Sequence, residues 1–193
     1  MPVQKITKTD LLHRCWEYIH RHGYHASSIS ALAQAAGLGK AGLLHHFGSK
    51  EALMVAVIEF AQVEFRRYVF AVVDEDLPLD QRLEKLLRRQ NRLTKIDQRG
   101  CFFTNVIMET GQSGLFNAAI TSFYNEWQQQ LARLLAEHYP AAETTQRAYQ
   151  LLIEYEGAVT MYKLTGDETH LESFVHRSVN PLKTELYGPS PTH

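Results

Sequence analysis

The sequence has few of the residues that crosslink or interrupt a fold. Its 193 residues include 2 cysteines, 6 prolines and 11 glycines. Cys15 and Cys101 do not form a CxxC pair, so neither a disulfide framework nor a zinc site is expected. The low glycine and proline content excludes collagen-like and low-complexity chains. We therefore expect an ordinary folded protein with reduced thiols.

Long apolar runs are also missing. No segment approaches the ~18 consecutive apolar residues that a membrane-spanning helix needs. The amino terminus, MPVQKITKTDLLHR, has no signal-peptide apolar core. The sequence therefore favours a cytoplasmic protein without a membrane partner.

The net charge of −1 conceals an uneven distribution. Residues 1–53 carry six basic and three acidic side chains, whereas the rest of the chain carries 14 basic and 18 acidic ones. Six of the ten histidines also lie in residues 1–53. A positive segment is consistent with a polyanionic partner, and an uneven scatter of solvated side chains explains it equally well.

Helical periodicity extends along the whole chain. Leu12, Cys15, Trp16 and Ile19 follow the spacing of one helix face. Thr7 begins a capping box, Ser27-Ser28 offers a cap for the second helix, and Gly48 ends the third. No segment alternates apolar and polar residues between turn signals, so no strands are predicted. The predicted fold is all-α with about nine helices: 7–22, 29–36, 40–47, 50–73, 79–95, 99 or 101–110, 115–139, 144–164 and 168–186.

Three glycines in the amino-terminal segment admit more than one interpretation. Gly37, Gly39 and Gly42 spell GLGKAG, which matches the dinucleotide-binding pattern GxGxxG but follows a helical segment, where that pattern requires a strand. The nearby histidines raise the alternative of a metal site, but neither histidine group gives an i, i+4 pair beside a carboxylate. Neither a cofactor nor a metal is expected.

The same glycines fit a helix-turn-helix. A helix, a tight turn at residues 37–39 and a short helix that begins with Lys40 form the arrangement in which the second helix enters the DNA major groove. Capped helix starts would bind phosphates. A helical hairpin without function has the same spacing, so spacing and charge alone leave both interpretations open.

The run from His25 to Leu53 closely resembles the amino-terminal signature of the TetR family of transcriptional regulators. Its specific part is Leu43-x-His45-His46-Phe47-x-Ser49-Lys50-Glu51-x-Leu53. The resemblance implies a DNA-binding helix-turn-helix domain in residues 1–53, an effector-binding and dimerisation domain in 54–187 and a disordered tail in 188–193. It implies a homodimer, most often a repressor, that binds a pseudo-palindromic operator in the bacterial nucleoid and is released by a small-molecule effector.

The resemblance also assigns DNA contacts. Lys40 is expected to read a base edge, and Ser49 with Lys50 to hold a phosphate. The family usually has Thr or Ser where this chain has Gly42, and Tyr where it has Leu44, so one or two hydroxyl contacts to the DNA backbone are missing. The complete set expected at the DNA is Ser28, Ser30, Lys40, Ala41, Gly42, His45, His46, Ser49 and Lys50.

The resemblance implies an effector cavity in the carboxy-terminal domain, although aromatic residues at helical spacing are more often plain core. Cys101 is a possible sensor of oxidants or electrophiles, because a helix start and Arg99 favour the thiolate; a buried, inert cysteine is the alternative. The expected lining of the cavity is Phe102, Phe103, Asn105, Glu109, Phe123, Trp127, Tyr155 and Tyr162.

The predicted eighth helix is apolar on more than one face and must be covered on both sides. With the ninth helix it is expected to form a four-helix interface between two copies, as the family resemblance also implies; a buried helix of a monomer is the alternative. The residues expected at this interface are Leu152, Tyr155, Val159, Phe174, Val175, Val179 and Leu182.

The competing class is an enzyme or a small-molecule carrier built on a helical bundle without DNA binding. Ser113 lies in GQSG, which does not match GxSxG. No carboxylate pair is placed beside a histidine by its spacing. The sequence therefore favours a DNA-binding regulator, and no catalytic residues are assigned.

Overall fold

The computed structural model describes residues 6–188, and all regular secondary structure in this range is helical. The prediction of an all-α fold with about nine helices is confirmed. Three 3-10 helices, Phe70–Asp74, Ile96–Gln98 and Gly111–Ser113, lie between the longer ones. The predicted tail lies outside the described residues from 189 onward. The nine α-helices of the described range are α1 (Lys8–His22), α2 (Ile29–Ala35), α3 (Lys40–Phe47), α4 (Lys50–Tyr68), α5 (Leu79–Lys95), α6 (Phe102–Thr110), α7 (Asn117–Leu135), α8 (Ala141–Thr165) and α9 (Thr169–Tyr187).

Two helices are shorter than their apolar pattern predicts. Helix α4 ends at Tyr68 and not near Val73, because the backbone tightens into a 3-10 helix whose apolar side chains stay buried. Helix α7 begins at Asn117 and ends at Leu135, since the flanking apolar residues lie in turns. Periodicity in the sequence does not distinguish these tighter segments from an α-helix.

The first of two compact units contains residues 6–65 and Phe102–Phe123. Its core includes Leu32, Leu43 and Leu53, none of them more than 1% exposed. Thr7 and Asp10 form the predicted capping box, in which the Thr7 side chain accepts from the Asp10 amide and the Asp10 carboxylate accepts from the Thr7 amide, each at 3.1 Å. The hydrogen bonds from Thr7 lower the pKa of Asp10.

The second compact unit contains Arg66–Cys101 and residues 124–188. Helices α5, α8 and α9 supply most of its core, and long-range polar contacts join them. Asn91 on α5 donates to the Leu171 carbonyl at 3.3 Å, and Lys183 on α9 donates to Glu84 at 2.9 Å. The family-based domain limits stay a prediction. None of the described helices has the length and apolar composition needed to cross a membrane.

Candidate nucleic-acid interface

The amino end of α2 is capped as the sequence predicts. The Ser28 hydroxyl accepts a hydrogen bond from the Ala31 amide at 3.1 Å, which satisfies one of the free amides at the helix start. The remaining amides at this exposed helix start are available to an anion such as a phosphate.

A tight turn connects α2 to α3. Gly37 has a φ of +75°, which favours glycine, and a Cβ there would lie 3.0 Å from the Arg14 guanidinium. Arg14 on α1 also donates to the Ala36 carbonyl at 3.4 Å. The Leu38 amide closes the turn on the Ala33 carbonyl at 2.8 Å. These contacts fix the direction in which α3 leaves the turn, as in a helix-turn-helix.

Helix α3 separates its core residue from its exposed ones. Leu43 is fully buried against the first unit's core, which fixes the rotation of the helix about its axis. No aspartate or glutamate occurs between residues 28 and 50, so this face carries positive or neutral side chains only. The expected DNA contacts that lie exposed are Ser28, Ser30, Lys40, Ala41, His45 and His46.

The remaining expected DNA contacts, Gly42, Ser49 and Lys50, are half-buried. A Cβ on Gly42 would approach only Leu38, at an ordinary 3.9 Å, so the fold itself does not require glycine there. Ser49 caps α4 by accepting from the Ala52 amide at 3.0 Å.

Lys50 contacts the chain's own aromatic core. Its ammonium lies 4.1 Å from the centre of the Tyr24 ring, which is a cation–π contact. Burial lowers the pKa of Lys50, and the carboxylates of Glu51 and Glu109 oppose this shift. The side chain is therefore held in place before any DNA arrives.

Five of the expected effector residues lie in the first unit. The rings of Phe103 and Phe123 are 4.3 Å apart and both are buried. Phe102 is 5.5 Å from Phe103, and Asn105 is half-buried. Glu109 accepts from the main-chain amide of His25 at 3.0 Å. The three phenylalanines therefore form one aromatic cluster, whereas Glu109 is used at the loop that follows α1.

The other three expected effector residues lie in the second unit. Trp127, Tyr155 and Tyr162 are each at most 3% exposed, and the rings of Trp127 and Tyr155 are 5.3 Å apart. The Tyr155 hydroxyl is 2.6 Å from the Thr94 hydroxyl. Burial raises the pKa of Tyr155 well above its usual value, so the phenol stays neutral.

Sequence reasoning missed a buried polar group on α5. Gln90, Asn91 and Thr94 are at most 2% exposed. In the part of the chain that the structure describes, the side-chain oxygens of Gln90 and Asn91 have no hydrogen-bond partner. The signal was present in the sequence, because Gln90 and Thr94 continue the core spacing of Leu83, Leu86 and Leu87. Buried oxygens without a hydrogen-bond partner are uncommon in folded proteins.

The two cysteines lie in different surroundings. Cys15 is fully buried, and burial raises its pKa to about 11. Cys101 is 7% exposed, and its sulfur lies 3.9 Å from the Tyr124 hydroxyl. That hydroxyl donates to Glu156 at 2.8 Å. The sensor role of Cys101 stays a prediction. The described residues include no group of three or more potential ligands placed to hold a metal ion.

The residues expected at the dimer interface lie buried within the single chain, and their role at an interface stays a prediction. Each of these seven residues is at most 8% exposed within the single chain. Their side chains lie where α8, α9 and α5 pack together, so little of their surface is left for a partner. The stripe of α8 that remains exposed contains Tyr149, Ile153 and Leu164, with exposures of 52%, 51% and 77%. The seven buried residues are Leu152, Tyr155, Val159, Phe174, Val175, Val179 and Leu182.

Comparison with known families agrees with this geometry. Residues 11–57 match the bacterial regulatory proteins of the tetR family. Residues 80–177, about half of the chain, match the tetracyclin repressor-like C-terminal domain. The chain belongs to the TetR family of DNA-binding transcriptional regulators, which is not a family of enzymes.

Individual proteins are similar to this chain over most of its length, and the two solved structures share its fold. The transcriptional regulator AcuR of Cereibacter sphaeroides is 26% identical over 183 residues, which cover 90% of this chain and 84% of AcuR. The crystal structure of a TetR transcriptional regulator from Legionella pneumophila has a TM-score of 0.84 at 24% identity, covering 94% of this chain and 99% of that one. The regulatory protein TetR from Rhodobacter sphaeroides has a TM-score of 0.81 at 24% identity, covering 91% and 98%.

Proposed function

We propose that this regulator is a homodimeric repressor that binds a pseudo-palindromic operator and is released by a small-molecule effector. The observation that carries the proposal is the exposed, acid-free face of α2 and α3. Such a face is suited to the polyanionic DNA surface, and α3 has the length and exposure of a recognition helix. The proposed site of action is the bacterial cytoplasm, where the operator lies on the nucleoid.

DNA contacts divide into two classes. Lys40 is exposed at the amino end of α3, where a long donor reaches a guanine edge in the major groove. Ser28 offers a capped helix start to a phosphate, and His45 and His46 add exposed donors at the other end of α3. Phosphate contacts would position the protein, and base contacts would select the sequence.

The proposed dimer surface combines the exposed stripes of α8 and α9. Both stripes keep helical spacing, and none of their residues is aspartate, glutamate, lysine or arginine. Depletion of charge together with exposed apolar side chains is typical of the centre of an interface. The α8 stripe consists of Gln146, Tyr149, Gln150, Ile153, Gly157, Thr160 and Leu164, and the α9 stripe of Thr169, Ser173, His176, Asn180 and Thr184.

Support for an effector comes from the buried polar residues of the second unit. Gln90, Asn91 and Tyr155 offer acceptors and a neutral hydroxyl among aromatic side chains, a combination typical of small-molecule sites. An effector with hydrogen-bond donors on an apolar body would fit this chemistry. Its identity is to be found by screening for release from DNA.

The test is selection of bound fragments from the source genome, followed by a reporter gene under the recovered promoter. We expect enrichment of one or a few promoters, and higher reporter expression when the regulator is deleted. Lower expression on deletion would show an activator. No enrichment of any fragment over the input DNA would contradict specific operator binding.

A further inference from the structure

One residue of α6 contacts the loop between α1 and α2 through both its side chain and its main chain. The Glu109 carboxylate accepts a hydrogen bond from the His25 amide at 3.0 Å. In return, the His25 ring nitrogen Nε2 lies 2.9 Å from the Glu109 carbonyl oxygen. Because a carbonyl can only accept, the ring nitrogen is the donor in this contact. Two residues 84 positions apart are thus joined by two hydrogen bonds.

The backbone at Gly23 is shaped to admit this carboxylate. Gly23 ends α1 with a φ of +82°, and a Cβ there would lie 2.6 Å and 2.8 Å from the two carboxylate oxygens of Glu109. No side chain other than hydrogen fits at such distances without displacing the carboxylate. Glycine is needed here both for its conformation and for the close approach of Glu109.

The loop that Glu109 holds leads directly into the DNA-binding helices. The buried Ser27 hydroxyl donates to the Gly23 carbonyl at 2.5 Å, which closes the loop on itself. The next residue, Ser28, is the cap of α2. The position of Gly23 and His25 therefore determines where the capped start of α2 lies.

The same loop also supports Lys50 at the start of α4. Tyr24, between the two residues that Glu109 contacts, carries the Lys50 ammonium 4.1 Å above its ring. The Tyr24 ring also meets the Phe116 ring edge-on at 5.2 Å, and its hydroxyl donates to Glu51 at 3.4 Å. Two expected phosphate contacts, Ser28 and Lys50, thus meet at the loop that Glu109 fixes.

We propose that Glu109 is a positioning residue for DNA binding. Its carboxylate holds the loop of residues 23–28, so that the start of α2 and the Lys50 ammonium are presented to the DNA backbone at a fixed spacing. The proposal rests on the operator binding proposed above. It replaces the expectation that Glu109 lines an effector cavity, since its carboxylate and its carbonyl are both used at the loop.

The test compares Glu109→Ala with Glu109→Gln and with the control Met108→Ala, whose side chain is the neighbour on α6 and is 82% exposed. Operator affinity is measured at several salt concentrations. Loss of a hydrogen bond to a charged group should weaken binding by Glu109→Ala by about tenfold and lower the salt slope by about one unit as a phosphate contact is lost. Glu109→Gln keeps an acceptor and should recover most of the affinity.

Amide hydrogen exchange measures the contact directly. The His25 amide should be protected in the wild type and in Met108→Ala, and should exchange faster in Glu109→Ala. If Glu109→Ala does not fold, His25→Ala carries the test, because it removes the exposed ring with its bond to the Glu109 carbonyl and its edge contact with the Tyr24 ring. That variant should bind the operator about threefold more weakly, in line with the loss of one neutral hydrogen bond.

Failure of this proposal is distinguishable from failure of operator binding. Unchanged affinity, salt slope and His25 exchange in Glu109→Ala would overturn the positioning role while leaving wild-type operator binding intact. Wild-type affinity of His25→Ala would overturn the part of the positioning role that the Glu109 carbonyl carries. A wild type that binds no operator, with the His25 amide still protected by Glu109, would contradict the proposed function instead.

Discussion

Charging the exposed stripe of α8 should separate the dimer without unfolding the protomer. Ile153 lies in the middle of this stripe and is 51% exposed. Gly157 follows one turn later, and a Cβ there would meet nothing within 4 Å. Partner helices can therefore approach closely at this point. We expect Ile153→Ala to weaken the dimer and Ile153→Glu to abolish it.

The expected loss of dimer stability follows from the exposed fraction of the Ile153 side chain. Complete burial of an isoleucine contributes ~1.5–3 kcal/mol, so covering the exposed half of Ile153 contributes about 1 kcal/mol in each protomer. A two-fold axis buries both copies, so Ile153→Ala should cost about 2 kcal/mol, or roughly a 30-fold rise in the dimer dissociation constant. Ile153→Glu also places two unpaired carboxylates in the interface, at several kcal/mol each.

Sedimentation equilibrium measures this effect. The wild type should sediment at twice the chain mass of 22.1 kDa, and Ile153→Glu should sediment as a folded monomer at micromolar concentration. Gln129→Glu places the same charge on an exposed position of α7 and should remain dimeric. Val159→Glu, at a position 3% exposed, should lose helical circular dichroism because it buries a charge in the protomer core. A monomeric wild type, or a dimeric Ile153→Glu, would refute the reasoning.

Three further predictions concern the DNA contacts and the thiol. Lys40→Ala should lose ~1–3 kcal/mol on the operator and relax base preference at one position per half-site. Lys50→Ala should weaken all sequences alike and lower the salt slope by about one unit. Fluorescence anisotropy titrations with operator and scrambled duplexes distinguish a base contact from a phosphate contact. Equal effects of Lys40→Ala on both duplexes would make Lys40 a phosphate contact. Cys101→Ser should keep operator affinity in reductant and abolish release by oxidants or electrophiles; equal release from both proteins would leave Cys101 as a core residue.

Local chemistry in the sequence was sufficient for the helices and the helix-turn-helix. Capping residues such as Thr7 and Ser28 are read from two or three neighbours, and the structure places both at helix starts. Glycines that end a helix, such as Gly48 after α3, can also be predicted from their immediate neighbours. The helix-turn-helix could be predicted because its turn and its exposed residues lie within one short segment.

Features that depend on distant packing could not be predicted in this way. Helix α8 has two apolar stripes of similar periodicity, one through Leu152 and one through Ile153. Which of them is buried is decided by α5 and α9, which are far away in the sequence. The contact of Glu109 with His25 spans 84 residues, and no local pattern indicates it. The burial of Gln90 could be predicted from the core spacing of α5, whereas the lack of a partner for its side-chain oxygen among the described residues depends on packing that the sequence does not show.

The most direct test of DNA recognition by this chain is selection of bound duplexes from a random DNA pool. Because two recognition helices related by a two-fold axis read two half-sites, the selected duplexes should contain a pseudo-palindrome. The half-site centres should lie one helical turn of ~34–36 Å, or a multiple of it, apart. Wild type should enrich this sequence, and Lys40→Ala should enrich a version of it that is degenerate at one position per half-site. Enrichment of a single asymmetric site, or no enrichment at all, would contradict a dimeric helix-turn-helix regulator.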